Sequence, residues 1–259
     1  MFRFNLLTQY ENVVHGVFNR HGGSSSSPYN SLNVSFGVGD NTAHVHSNRQ
    51  TIKDRLQTDI LVSSEQVHAA EILVVDTHSS HCSKDQPPEN HSADTSGITR
   101  DLFTGYDAFI THMPGTSLMV QQADCQAIML LEPHKNIIAN IHCGWRGSVA
   151  NIIGKTIDTL IARFNVSPHH LIAGISPSLG PCCAEFVHFQ QELPPSFHKH
   201  QVKPAYFDFW AISRDQLCSA GVKETNIETA SICTVCNTDW FSYRREKKTG
   251  RFCSVIGLR

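Results

Sequence analysis

Ser117-Leu-Met-Val-Gln-Gln-Ala-Asp-Cys125, Gln126-Ala-Ile-Met-Leu-Leu131, Glu132-Pro-His-Lys-Asn136 and Ile137-Ile-Ala-Asn-Ile-His142 follow one another without a break. Two apolar runs flanking a Pro-containing turn have the pattern of an antiparallel hairpin. A turn centred between Pro133 and His134 places Cys125 directly opposite His142. Opposed residues share a face with Cβ atoms ~5 Å apart, so a single metal ion could take a thiolate from one and an imidazole from the other. A slip of one residue in the register would break that geometry.

Beyond His142, Gly144 and Gly147 permit a sharp exit, and Val149, Ile152, Ile153, Ile157, Leu160, Ile161 and Phe164 follow at helical spacing. Upstream, the β-branched run Glu71-Ile-Leu-Val-Val-Asp76 predicts a strand, with His68 just before it. From His78 to Arg100 the only apolar residues are Cys82, Ala93 and Ile98, which predicts a long polar loop or lid. His15 to Asn33 reads as a strand running into a Gly- and Ser-rich loop, and Asp40-Asn-Thr-Ala opens a polar-capped helix carrying Arg49. Towards the C-terminus, Ala205 to Trp210 predicts a strand leading into a helix near Gln216, Ile232 predicts another strand, and Phe241-Ser-Tyr-Arg-Arg245 forms the tail. Hairpins mixed with crossovers imply an α/β or α+β fold with mixed β-sheets flanked by helices, in one domain that carries a polar insertion at about 78–100.

A net charge of -2 over 259 residues provides no basic field for nucleic acid and no polybasic stretch for a membrane surface, which points to a small ligand. No secretory signal pattern and no run of ~18 apolar residues is present, so a cytoplasmic protein is expected. Nine cysteines in no regular framework suit reduced thiols, and together with sixteen histidines they supply the donors of zinc or copper.

His68, Cys125 and His142 would make a His2Cys set with a vacant fourth position, the arrangement of a catalytic zinc. The competing reading is a small buried thiol beside two ordinary polar residues. Asp124, next to Cys125, is a candidate proton carrier or else a turn-capping carboxylate. Arg146 follows the glycine turn where an anion would meet free amides, or it braces that loop. Arg49, Arg244 and Arg245 are further anion candidates that could equally be surface ion-pair residues. Cys233-Thr-Val-Cys236 is a CxxC that Cys218 and Cys253 could complete into a second zinc site, although buried thiols explain it as well. His44-Val-His46 and His198-Lys-His200 are HxH pairs of the kind copper oxidases use, or simply exposed histidines. The HxE and PCxxC signature of the base deaminases is absent.

The chain resembles the YfiH family of laccase-domain or "polyphenol oxidase" proteins almost end to end. The matching motifs are HGVFNRHGGSS and PYNSLN within residues 15–33, GDN and SNR ending at Arg49, QVH ending at His68, YDAFIT from Tyr106, ADC ending at Cys125, HCGWRG from His142, and FSYRR with TGR near the end. The resemblance implies a YfiH-like fold and metal ligands at His68, Cys125 and His142; Gln66, Arg49 and Arg146 are candidate substrate contacts, with Arg49 or Arg146 neutralising phosphate charge. It further implies phosphorolysis of adenosine, inosine and methylthioadenosine, with adenosine deamination as an additional activity. The expected cofactor is zinc, with copper the alternative, and the expected partners are a purine nucleoside and phosphate. Two departures stand out: the 78–100 stretch is longer than the family's, and Cys143 replaces a common Ala.

The older family name implies copper-dependent phenol oxidation, yet the HCH cluster with a nearby axial Met that such chemistry uses is missing. A third reading makes Cys125 a nucleophile with His142 as its base, and a fourth is a metal-stabilised binding module without turnover.

Overall fold

The protein is described by a computed structural model covering residues 1–76 and 103–259. The polar insertion expected at about 78–100 lies outside the described residues. Two main sheets carry the fold. Their strands are β1 (Val13–Phe18), β2 (Ile60–Val62), β3 (Ile72–Val75), β4 (Ala108–Thr111), β5 (Thr116–Gln122), β6 (Gln126–Glu132), β7 (Ile137–Cys143), β8 (Ile172–Ile175), β9 (Ile227–Thr229) and β10 (Phe252–Leu258). One sheet has the order β1-β10-β5-β2 and the other β9-β8-β6-β7-β4-β3. Parallel pairs, β2 with β5, β3 with β4 and β8 with β9, sit beside antiparallel ones, so both sheets are mixed as expected.

The helices that frame the sheets and the site are α1 (Thr42–Leu56), α2 (Trp145–Val149), α3 (Ile152–Phe164), α4 (Phe209–Ser219) and α5 (Tyr243–Glu246). Asn41 caps α1 by accepting from the Ala43 amide, the polar cap read from the sequence. The single helix expected after His142 is instead two, because Asn151 takes a left-handed conformation and its side chain caps α3 by accepting from the Gly154 amide. No described helix is long and apolar enough to cross a membrane.

Burial explains why β6 reads as an unbroken apolar run. Met129 and Leu131 face the four-stranded sheet, in a core with Leu118, Val120, Phe252 and Ile256, while Ile128 and Leu130 face α3 and α4, in a core with Ile153, Ile157 and Leu217. A sheet covered on both faces needs no polar alternation. The outer face of the four-stranded sheet packs on α1 through Phe18, Ile52, Leu56, Met119 and Val255. The layers therefore run α1, small sheet, large sheet, then α3 with α4.

Several local expectations change. The stretch from Ser117 to Leu131 supplies two strands, β5 in the small sheet and β6 in the large one, joined by a corner at residues 123–125. Only Tyr206–Phe207 of the 205–210 stretch is extended, and Phe209 and Trp210 already belong to α4. The strand expected at Ile232 lies earlier, at β9. The tail does not end the fold, since β10 fills a position between β1 and β5.

Candidate metal centre and cavity

The corner between the sheets positions the first donor. Asp124, at a φ of 91°, turns the chain out of β5, and Cys125 stands immediately before β6. His142 is the penultimate residue of β7 and is buried. The observed register pairs His142 with Ala127 and Cys143 with Gln126, so Cys125 is not directly opposite His142 as expected but two positions along. The cause is the turn, which uses four residues, 133–136, with Asn136 left-handed and the Lys135 amide donating to the Glu132 carboxylate. An offset of two keeps the pleat parity, so the thiol and imidazole still share a face as diagonal neighbours. His68 reaches them from the loop before β3, and its ring stands edge-on to that of His142 at a centroid distance of 4.8 Å. The ligand atoms of His68, Cys125 and His142 all lie within 4.8 Å of one another.

Asp107, fully buried at the start of β4, ties this group together. Its carboxylate accepts from His142 Nδ1 at 2.8 Å and from the backbone amides of His68 at 3.0 Å and Ala69 at 2.8 Å. These amide bonds hold the left-handed turn at His68, whose φ is 60°. The bond to Nδ1 leaves Nε2 of His142 as the donor turned to Cys125, the outer-shell arrangement that orients ligating histidines. Burial alone would raise the Asp107 carboxyl, but the His142 bond and the two amides outweigh it and lower its pKa. Asp107 was not singled out in the sequence, although it lies inside the YDAFIT motif.

Burial opposes ionisation of the Cys125 thiol, yet the charge and hydrogen bond of His142, with His68 behind them, bring its pKa down to about 6. Burial likewise opposes protonation of His142, but the Cys125 thiolate and Asp107 raise it to about 9. In the metal-free pair each partner favours the charged form of the other, and a cation would take the place of the shared proton. Gly144 keeps the space beside them open: a Cβ there would stand 3.0 Å from Cys125 Sγ and 3.2 Å from His68 Cδ2. Two imidazoles and a thiolate, one of them exposed to solvent, make a donor set that could hold a metal ion.

A cavity of about 1240 Å3 opens over this group, large enough for a nucleoside and an anion together. Gln66 lines it, but its amide is committed to the backbone of Gln121, donating to the carbonyl and accepting from the N–H at 2.8 Å each. Arg49 lines it from beneath Phe36, with Nε donating to the Val34 carbonyl and Nη1 to Ser63 Oγ. Arg146 is exposed, lies over the Trp145 ring at 4.4 Å and is not among the lining residues. Arg245 is used structurally, bonding the carbonyls of Thr234, Val235 and Trp240. Arg244, Lys247 and Arg251 line the cavity instead. Arg251 had no separate signal beyond its place in the TGR motif.

Asp124 carries both of its carboxylate oxygens in hydrogen bonds, accepting from Thr234 Oγ1 at 2.7 Å and from the Arg244 amide at 2.6 Å. It caps the first turn of α5, the second of the two roles read for it. The CxxC has partners other than Cys218 and Cys253: Cys233 and Cys236 lie with Cys182 and Cys183. Cys253 is buried in β10, and Cys218 is exposed on α4. Cys143 is buried, its thiol pushed up to about 12 chiefly by burial. Neither HxH pair belongs to a described three-donor group.

Residues 14–259 match the model of a family described as multi-copper polyphenol oxidoreductase laccase. The chain belongs to this family. Among curated members, a purine nucleoside phosphorylase of Bacteroides thetaiotaomicron is 30% identical, across 99% of this chain and 95% of its own length. Purine nucleoside phosphorylase YfiH of Escherichia coli is 30% identical across 92% of this chain and 91% of its own. The crystal structure of YlmD from Geobacillus stearothermophilus superposes with a TM-score of 0.83 at 28% identity, covering 96% of this chain and 93% of that one. The likeness over nearly the full length bears out the YfiH-like fold expected from the motifs. Members named as phosphorylases thus share a family description that names copper and phenols, and the donor set bears on the difference. Among the described residues the groups able to hold an ion are small and separate, without the histidine-rich copper cluster of a multicopper oxidase.

Proposed function

We propose that this protein is a metal-dependent purine nucleoside phosphorylase acting on adenosine, inosine and methylthioadenosine, with deamination of adenosine as a second activity of the same site. The observation that carries the reading is the His68, Cys125 and His142 group at the floor of a cavity that also holds aromatic walls and cationic side chains. The full-length likeness to relatives named purine nucleoside phosphorylase supports it.

A zinc ion held by these three donors would supply Lewis acidity at the cavity floor. Asp107 keeps His142 in one tautomer and holds the His68 loop, so the donors are positioned before substrate arrives. Phe36, Phe103, Trp145 and Tyr243 offer faces for a planar base. Arg251, Arg244 and Lys247 supply positive charge for phosphate, in preference to Arg146, which lies outside the cavity. Asp124 places Arg244 and Cys125 relative to one another and acts as an anchor, since both of its oxygens are engaged. Gln66 holds Gln121 in the cavity wall, and Arg49 braces the Phe36 side.

The test is incubation of zinc-defined protein with inosine or adenosine and phosphate, following free base and ribose 1-phosphate, beside the His68→Ala protein. Phosphate-dependent release of base, lost in the variant, is the expected result. A second reading draws on the Asp107, His142 and Cys125 chain, which would also suit a cysteine nucleophile. Turnover that survives metal removal and stops on thiol alkylation would replace the phosphorylase reading with that one.

A further inference from the structure

Cys182, Cys183, Cys233 and Cys236 belong to no part of the cavity chemistry, yet their sulfurs all lie within 4.8 Å of one another. We propose that these four cysteines form a closed, structural zinc site that clips the 178–185 loop to the 231–237 loop. The proposal stands on this geometry alone and does not depend on the phosphorylase reading.

The distances separate a metal site from a disulfide. Cys236 Sγ is 3.6 Å from Cys182 Sγ and also 3.6 Å from Cys183 Sγ. Four thiolates around zinc at ~2.3 Å are ~3.8 Å apart along each tetrahedral edge, whereas a disulfide needs ~2.05 Å and a single partner. Equal spacing to two partners fits a shared ion and singles out neither pair.

The backbone is arranged for this in advance. Ser178 and Cys233 form a parallel bridge, with the Ser178 amide donating to the Ile232 carbonyl and the Thr234 amide to the Ser178 carbonyl. Cys233 Sγ accepts from the Gly180 amide at 3.4 Å, as sulfurs in metal knuckles accept from nearby amides. Gly180 must be glycine for the loops to meet, because a Cβ there would stand 2.8 Å from Cys233 Cβ and 2.9 Å from the Trp210 ring. Four sulfurs with no nitrogen or oxygen donor among them select a soft tetrahedral ion, and they leave no position for substrate.

The clip also has a place in the architecture. Thr234, inside the CxxC, holds Asp124 beside Cys125, and Leu179 and Glu185 of the other loop line the cavity. A closed ion here would stiffen the wall of the open site. On binding, the ion replaces the thiol protons, which leave to solvent.

The experiment is metal analysis of protein purified with reductant, as wild type, Cys236→Ser and Cys125→Ala. Cys236→Ser is expected to hold about one zinc equivalent per chain fewer than wild type, and Cys125→Ala to keep the one bound by the four cysteines. Cobalt added to metal-depleted Cys125→Ala protein should give the intense charge-transfer absorption of four thiolates, and Cys125→Ala with Cys236→Ser should lose it. Equal zinc in wild type and Cys236→Ser, or no such absorption in folded Cys125→Ala protein, would overturn the site. So would recovery of the four cysteines as disulfides that take up no cobalt once reduced.

Discussion

Two sulfur-bearing groups lie among the described residues and are built on opposite principles. His68, Cys125 and His142 come from a strand end, a sheet corner and a strained loop turn, and a buried carboxylate fixes them from behind. Cys182, Cys183, Cys233 and Cys236 come from two loops held together by backbone bonds, without a carboxylate or imidazole among the donors. The first opens onto the cavity and the second does not. Mixed donors with an accessible position suit chemistry, and four like donors closing on themselves suit stability. The difference follows from what supports each set: sheets covered on both faces and the Asp107 carboxylate hold the open donors, whereas the two cysteine loops need the ion itself.

The largest effect expected concerns the open group. Cys125→Ala should lower phosphorolysis by roughly 10^3-fold or more while leaving the thermal midpoint nearly unchanged. A steady-state assay beside a melting curve checks both, and retained activity would remove the distinction drawn above.

Alkylation of metal-free protein sharpens the comparison through pH. Cys125 is lowered to about 6, so its thiolate dominates above that pH. Cys182 is raised to about 11, first by burial and then by its bonds to Cys233 and Cys236, so its thiolate is scarce until strongly alkaline pH. At neutral pH Cys125 should react roughly 10^2-fold faster, the gain in thiolate fraction being tempered by lower nucleophilicity. Peptide mass spectrometry over a pH series reads the order.

Asp107→Asn should weaken metal binding at the open site by about 10- to 100-fold and leave the four-cysteine group untouched. Competition with a chelator, read separately by cobalt absorption at the two sites, measures this. Equal loss at both would show that Asp107 acts on the fold as a whole.

The smallest effect on turnover belongs to the closed group. Cys236→Ser should lower the thermal midpoint by more than about 4 °C and reduce activity only a few-fold, through loosening of the Asp124 anchor. Calorimetry with the same assay tests it, and an activity loss as large as that of Cys125→Ala would make both groups part of the catalytic machinery.

Much of the open site was legible because its donors stand in or beside apolar runs whose pattern fixes a face. The hairpin reading was wrong in register by two residues and right in parity, and parity alone decides which side of a sheet a donor faces. The arginines were less legible. Arg146 looked favourable beside a glycine turn but stacks on its neighbour Trp145, and Arg251 gains its position only from β10 threading between β1 and β5. Asp107 looked like any acidic residue before a strand, since nothing local reveals a bond to a histidine 35 positions away.

The sequence by itself determined the mixed sheets, the capped α1 and the family, because periodicity, caps and long motifs are local properties of the chain. Tertiary structure alone decided which arginines face the cavity, that Asp107 stands behind His142, and that the CxxC meets Cys182 and Cys183 and not Cys218 and Cys253. Those pairings join residues dozens of positions apart in the chain, and they exist only once the sheets and loops have packed into one arrangement.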